Sequence, residues 1–224
     1  MGWPVEHSKS PDLFCAAYAG AKPYELIGYP SWEECLRHFL DGPYRAVNIT
    51  TPYKADAARV ADFRDAAVEE LGAANILVKT ERGLEAYNSD FLGVRELLRP
   101  LAGSQKTVKV IGGGGAGRAA HSAAKALGFE VTLLRHNEIA DGAEADIIIF
   151  TLPRVAEGSD RLRCNYLLEA NYRDPAFGTE GCIPIPEGCT YINGMQWLVA
   201  QAVTGYELMS GEAPDADAIR KVFR

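Results

Sequence analysis

Apolar positions along this chain fall into two kinds of run that alternate from end to end. Short β-branched runs read as strands, and stretches with apolar residues every three or four positions read as helices. A first helix opens at Ser10-Pro11, with Ser10 as cap and Pro11 at the first helical position. It places Leu13, Phe14, Ala17 and Tyr18 on one face and ends near Gly20. Residues 24–27 read as a short strand, 32–40 as a helix capped by Ser31, and 45–49 as an alternating strand. Thr51-Pro52 repeats the cap-and-proline device, opening a helix towards Val60. A short helix over 65–71 precedes two strands, 74–78 and 84–87, joined by a turn at Glu81-Arg82-Gly83. Residues 90–98 are a helix stopped by Pro100, and 101–106 a linker.

The second half begins with a strand over Thr107–Ile111 that runs into glycines. Gly112, Gly114 and Gly117 stand in G-x-G-x-x-G spacing, and an alanine-rich helix over 118–127 stops at Gly128. Glu130–Leu134 is the next strand, and 146–150 is a continuous, hence buried, third. Only residues 135–145 separate these two, room for about one helical turn, so that crossover layer is abbreviated. Residues 166–170 form another strand, 184–189 are irregular, 195–209 a long amphipathic helix ending at Gly211, and 215–223 a last short one.

Composition narrows the class. With 224 residues the chain suits one large domain or two small ones. A net charge of −7 argues against a general nucleic-acid or anionic-membrane surface. Five scattered cysteines without a C-x-x-C pair fit reduced thiols in a cytoplasmic protein and no metal site. No apolar run reaches membrane-spanning length, and no signal peptide is expected.

Candidate chemistry gathers at element junctions. A strand that turns through glycines into a helix N-terminus lets backbone N–H groups approach a pyrophosphate, where the helix dipole favours its charge. The alternative is a glycine loop without a ligand. Ser8 and Ser10 flank a helix start where a carboxylate could be held, or where Ser10 simply caps. Lys54 lies in a first helical turn, where a cation meets the positive end of the dipole at a small cost in stability. It is either functional or a solvated lysine. Asp90 follows a strand and opens a helix, where the dipole favours an acid whatever its role.

Taken together, these junctions resemble the shikimate dehydrogenase family. His7-Ser8-Lys9-Ser10-Pro11 matches that family's HSxSP loop, and residues 48–54, from Asn48 to Lys54, resemble its NVTxPxK motif. Gly72-Ala73-Ala74-Asn75 resembles GAVNT, Tyr87-Asn88-Ser89-Asp90 with Gly93 resembles xNTDxxG, and the glycine turn is similar to GAGGAxR. Residues 193–202 resemble NGxxMLxxQA. The motifs run in the family's order over nearly the whole chain.

The resemblance implies a two-domain α/β fold, with a Rossmann-like dinucleotide domain and an α/β substrate domain completed by the C-terminal helices. Residues 1–98 and 194–224 would form the substrate domain, and 99–193 the dinucleotide domain. It also implies NADP-dependent reduction of 3-dehydroshikimate to shikimate in aromatic amino acid biosynthesis, with a small-molecule partner and a monomeric or homodimeric state. Alternatives are a dehydrogenase of quinate or another cyclic polyol acid, and a non-catalytic protein that binds a shikimate-like ligand.

By match, Ser8, Ser10 and Thr50 would hold the substrate carboxylate and neighbouring oxygens. Asn75, Asp90 and Gln201 would bind ring hydroxyls, and Tyr172 would close the site. Lys54 and Asp90 would be the catalytic pair. Gly112, Gly114, Gly115, Ala116, Gly117, Arg135, His136 and Gly194 would bind NADP. Arg135 stands where NAD enzymes carry an acid, which suits a ribose 2′-phosphate; Glu138 is the nearest acid able to take the opposite role. Four features depart from the family pattern. The family's strand before the HSxSP loop has no counterpart ahead of Met1, so the chain is expected to be marginally stable or to fill the gap by pairing. Arg135-His136-Asn137 stands for the family's NRT, Thr151-Leu152-Pro153 lacks the asparagine of NATxxGM, and Trp197 replaces a methionine near the nicotinamide.

Overall fold

A computed structural model describes residues 1–6 and 8–222; His7 of the expected carboxylate loop and Phe223 of the last expected helix lie outside the described residues. Two compact units make up the chain: Met1–Ser89 with Gln201–Arg224, and Asp90–Ala200. The divisions pass through two helices, at whose other ends the sequence-based borders were placed.

The first unit begins with α1 (Ser10–Ala17), α2 (Trp32–Asp41), β1 (Ala46–Asn48), α3 (Lys54–Val60), β2 (Phe63–Arg64), α4 (Ala66–Leu71), β3 (Ile76–Thr80) and β4 (Gly83–Tyr87). Its sheet has the order β1-β3-β4-β2, with β1 and β4 antiparallel to β3, and β2 parallel to β4. Cys35, Phe39, Val47, Ile49, Val68 and Leu77 form its core. Helix starts here are set by side chains: Ser31 accepts the Glu34 N–H and Asp65 the Val68 N–H, each satisfying one of a helix's orphan donors.

Three expectations are corrected in this unit. Ser10 is the first residue of α1 and not its cap; Lys9 occupies the cap position without a side-chain bond, and the Ser8 hydroxyl accepts the Ser10 N–H at 3.3 Å. Pro11 is tolerated one position later because the whole first turn lacks intrahelical acceptors for its N–H groups. Thr51 does not cap α3. The Tyr53 N–H closes a turn onto the Thr50 carbonyl at 3.0 Å, so helical geometry begins only at Lys54. Residues 24–27 are not a strand: among the described residues their backbone pairing amounts to the Gly2 N–H on the Ile27 carbonyl and one isolated bridge, Gly2 to Gly28, too little for a ladder.

The second unit takes up α5 (Ser89–Leu98), which a 3₁₀ turn at Arg99–Leu101 ends, and then β5 (Thr107–Ile111), α6 (Gly115–Ala126), β6 (Glu130–Leu134), β7 (Ala143–Glu144), β8 (Ile147–Phe150), β9 (Leu162–Arg163), β10 (Tyr166–Glu169) and β11 (Thr190–Ile192). The helix α7 (Gly194–Ser210) leads back to the first unit, which closes with α8 (Ala216–Lys221). Five strands form a wholly parallel sheet of order β11-β10-β8-β5-β6. Every residue of β8 is buried, as the continuous run Ile147-Ile148-Ile149-Phe150 requires for a central parallel strand. Each such side chain contributes roughly 1.5–3 kcal/mol on burial. The abbreviated crossover is present: between β6 and β8 lie one 3₁₀ turn, His136–Glu138, and two residues of β7. The strand β11 was not legible, because three half-exposed residues are too few to show a period. Among the described residues no helix is long and apolar enough to cross a membrane.

The first residue is an unusual part of the first unit. Met1 is buried, its ammonium donates to the Asn48 carbonyl at 2.6 Å, and its carbonyl accepts the Thr50 N–H at 2.9 Å. Loss of hydration pushes the amine down from 8.0 to about 6, against a smaller opposing effect of Cys35. Between those values the unfolded chain binds a proton that the folded chain gives up. Stability is therefore complete above pH 8 and is lost as pH falls towards 6, by roughly 2–3 kcal/mol. Urea titrations at both pH values should show that difference, and N-terminal acetylation should remove it. An unchanged midpoint would count against a buried amine.

Candidate active site

The strand order of the second unit selects its ligand edge. From β5 the chain goes to β6 on one side and to β8 on the other, so the topological switch point lies between β5 and β8, outside their carboxyl ends. The glycine turn follows β5 there. Gly112 has φ +114°, which favours glycine, and its N–H donates to the Leu134 carbonyl at 2.8 Å. Gly114 caps α6, and Gly115, Ala116 and Gly117 are its first turn. A Cβ on Gly117 would lie 1.7 Å from the Gly112 carbonyl oxygen, so only glycine lets helix and strand meet. A Cβ on Gly113, Gly114 or Gly115 would meet nothing within 4 Å. Free N–H groups at a helix start, with open space over three glycines, fit a pyrophosphate.

Two residues that sequence reasoning gave no role fasten this edge. The Thr151 hydroxyl, just past β8, donates to the Ile111 carbonyl at 2.9 Å and also reaches Gly112 O at 3.3 Å. The Asn171 amide, just past β10, donates to the Leu152 carbonyl at 2.7 Å. The signal for both was positional, a polar residue following a buried strand as Gly112 follows β5. Gly194 packs against the 171–172 backbone so closely that a Cβ would lie 2.4 Å from Asn171. Tyr172 is half-buried with Arg173 over its ring. Its loop is held by Glu169, fully buried, which accepts the Ala176 N–H at 2.6 Å and the Tyr191 hydroxyl at 2.5 Å. Burial and that carboxylate push the Tyr191 phenol well above its ordinary value. Arg135 and His136 are exposed after β6, and the Glu138 carboxylate accepts the Arg135 N–H at 2.6 Å.

In the first unit, Ser8 and Ser10 flank the start of α1, and Thr50 follows β1 at the surface. Lys54 is the first residue of α3, and its carbonyl accepts the Ala74 N–H at 2.8 Å. Asn75 is the hub of this unit's junctions. Its N–H donates to Tyr87 O, its carbonyl accepts Ile49 N–H, and its buried Oδ1 accepts the Ser89 N–H at 2.7 Å. The Asn75 side chain thus satisfies the first donor of α5, the helix on which Asp90 stands next. Asn88 adds a bond to the Ala73 carbonyl at 2.9 Å. Gln201 lies on α7, where its carbonyl accepts the Thr204 hydroxyl at 3.3 Å. Lys54, Asn75 and Gln201 therefore belong to the first unit, whereas Asp90 is the first residue of the second. Asn75→Ala leaves the Ser89 N–H without its partner, and should cost roughly 1–2 kcal/mol in stability, read from urea midpoints. Equal stability would count against the hub.

A parallel sheet with a glycine turn at its switch point defines a dinucleotide-binding α/β protein, here joined to a second α/β unit. Comparison makes the assignment more particular. Residues 1–77 match the model of the shikimate dehydrogenase substrate binding domain. The chain is 32% identical to a shikimate dehydrogenase (NADP(+)) of Anaeromyxobacter sp. (strain K), over 98% of this chain and 93% of the relative. That alignment runs to 262 positions, so the relative carries segments with no counterpart here. The Mycobacterium tuberculosis shikimate dehydrogenase superposes with a TM-score of 0.78 at 27% identity, covering 99% of this chain and 95% of the other. A Thermus thermophilus shikimate 5-dehydrogenase, solved with NADP(H) and shikimate, shares the fold with a TM-score of 0.81 at 23% identity, covering 99% and 95%. The chain belongs to the shikimate dehydrogenase family.

Proposed function

We propose that this chain reduces 3-dehydroshikimate to shikimate with NADPH, in aromatic amino acid biosynthesis. The observation that carries the reading is the full-length likeness to an NADP(+) shikimate dehydrogenase. The glycine turn, with room for a pyrophosphate, supports the cofactor side of it. Residues 1–98 and 194–224 hold the substrate, and residues 99–193 the cofactor. The protein works in the cytoplasm as a monomer or homodimer.

Ser8, Ser10 and Thr50 hold the substrate carboxylate and neighbouring oxygens. Asn75, Asp90 and Gln201 take the ring hydroxyls, and Tyr172 closes over them. The backbone of Gly112, Gly114, Gly115, Ala116 and Gly117 holds the pyrophosphate, Arg135 and His136 the 2′-phosphate, and Gly194 lets the chain lie close to the cofactor. NADPH, when bound, supplies the hydride. The Lys54 ammonium stabilises charge on the substrate's carbonyl oxygen and gives that oxygen its proton. Asp90 orients a ring hydroxyl and the lysine.

An absorbance assay at the nicotinamide band with shikimate or quinate, and NADP or NAD, tests this reading. Shikimate with NADP should turn over fastest. Faster quinate oxidation would reassign the substrate, and calorimetric shikimate binding without turnover would make the chain a binding protein. NADP is favoured because Arg135 and His136 are exposed, and the Glu138 carboxylate is tied to the Arg135 N–H. Arg135→Ala should weaken NADP by about tenfold or more, the scale of a charged hydrogen bond, and leave NAD unchanged. An equal loss for both would place Arg135 elsewhere.

A further inference from the structure

Cys164 stands between β9 and β10, and Cys189 is the residue before β11, the edge strand of the parallel sheet. The ladder between β10 and β11 begins beside them: Tyr166 pairs with Thr190, and the Thr190 N–H donates to the Asn165 carbonyl at 2.8 Å. Cys164 and Cys189 therefore lie diagonally across the foot of that ladder. Their sulfurs are 3.6 Å apart, joined by an S–H···S contact. Among the described residues they are the one pair of thiols in contact. Both side chains are half-buried against the apolar cluster that holds Ile148 and Leu167. β11 itself is held weakly, by three residues that pair on one side.

A disulfide needs its sulfurs at about 2 Å, so closing this pair takes a movement of only about 1.5 Å. We propose that Cys164 and Cys189 are an oxidation site, at which hydrogen peroxide makes a reversible disulfide that braces β11 against β10. The Cys189 thiolate attacks one oxygen of the peroxide and breaks the O–O bond. Its sulfur becomes a sulfenic acid, and the other oxygen leaves as hydroxide, which takes up the thiol's proton as water. The Cys164 sulfur then attacks the sulfenic sulfur. The S–S bond forms, and the S–OH oxygen leaves with the Cys164 proton as a second water. Two thiols are oxidised and one peroxide is reduced to two waters.

The order of attack follows from the surroundings of the two sulfurs. Burial, and then the charge of Cys189 beside it, push the Cys164 thiol well above its ordinary value. Burial raises Cys189 as well, but there the hydrogen bond with Cys164 favours the thiolate and works against it. Cys189 is therefore the first nucleophile and Cys164 the one that resolves. With both thiols raised, thiolate is scarce at neutral pH, so the pair stays reduced until peroxide is sustained.

Peptide mapping of the full chain tests this, after hydrogen peroxide and alkylation of the remaining thiols. Oxidation should join the Cys164 and Cys189 peptides and raise Tm by roughly 5–10 °C, the effect of closing a loop of this length in a chain of this size. Dithiothreitol should reverse both changes. In Cys164→Ser no crosslink should form, and dimedone should label Cys189 as the trapped sulfenic acid. In Cys189→Ser, Cys164 should stay an unlabelled thiol. The proposal would be overturned if both cysteines were still alkylated at a peroxide dose that oxidises the exposed Cys15. A crosslink that uses Cys182 or joins two chains, an unchanged Tm in the crosslinked chain, or dimedone on Cys164 instead of Cys189 would also overturn it. The mapping and the Tm are read on the unaltered chain, so they do not depend on the folding of either variant.

Discussion

Lys54→Ala is expected to lower kcat by about a hundredfold or more, with a much smaller change in KM. The asymmetry follows from the division of labour proposed above. On that proposal Ser8, Ser10 and Thr50 would hold the carboxylate, so substrate would still bind, whereas the proton for the carbonyl oxygen would come from Lys54. Asp90→Ala should lower kcat and raise KM together, because it also meets a ring hydroxyl. Groups that act as a unit lose activity non-additively, so the double variant should be little worse than the lysine variant alone. Steady-state kinetics on the three variants check this. Additive losses would separate the two residues, and unchanged turnover in Lys54→Ala would remove the lysine from the proton-transfer step.

Gly117→Ala and Gly114→Ala should separate two uses of the glycine turn. At Gly117 the new methyl would lie 1.7 Å from the Gly112 carbonyl oxygen and 2.9 Å from the Thr151 hydroxyl. Backbone cannot move aside as a flexible side chain can, so the turn must open. NADP affinity should fall by roughly a hundredfold, the scale of displacing a binding group by an ångström, and the melting temperature should fall with it. At Gly114 the methyl meets no protein atom within 4 Å and the backbone has an ordinary negative φ. Stability should therefore hold while NADP binding falls, because the space filled is the ligand's. Tm and Kd measured on both variants decide it, and full NADP affinity in Gly114→Ala would mean that the pyrophosphate lies elsewhere.

The chain's local preferences already set most elements. Ile147-Ile148-Ile149-Phe150 has no polar alternation and can only be a strand buried on both faces, and Ser31 and Asp65 cap the helices that follow them because their side chains satisfy orphan donors. The glycine spacing between a strand and a helix likewise required nothing beyond the sequence. The reason is that each signal is local: the caps join residues three positions apart, the glycines of the turn lie within five, and the strand shows itself by its own unbroken apolar run.

Tertiary structure decided the rest. Ser10 and Thr51 looked like caps by residue type, yet Lys9 takes the cap position of α1, and the loop before α3 is held by a distant segment, the Thr50 N–H bonding to Met1 O and the Trp3 N–H to Thr51 O. Residues 24–27 had a strand's composition, but a strand needs a paired neighbour, and among the described residues the pairing there is a single bridge, Gly2 to Gly28. Thr151 gained its role under the glycine turn from a strand forty positions away. Asn75 gained its role from the Ser89 N–H, fourteen positions on. Sequence determined which segments become helices, strands and turns, because those choices are local. Which side chains serve as caps, hubs and edges was left to the packing, because each of those roles exists only once a distant part of the backbone is in place.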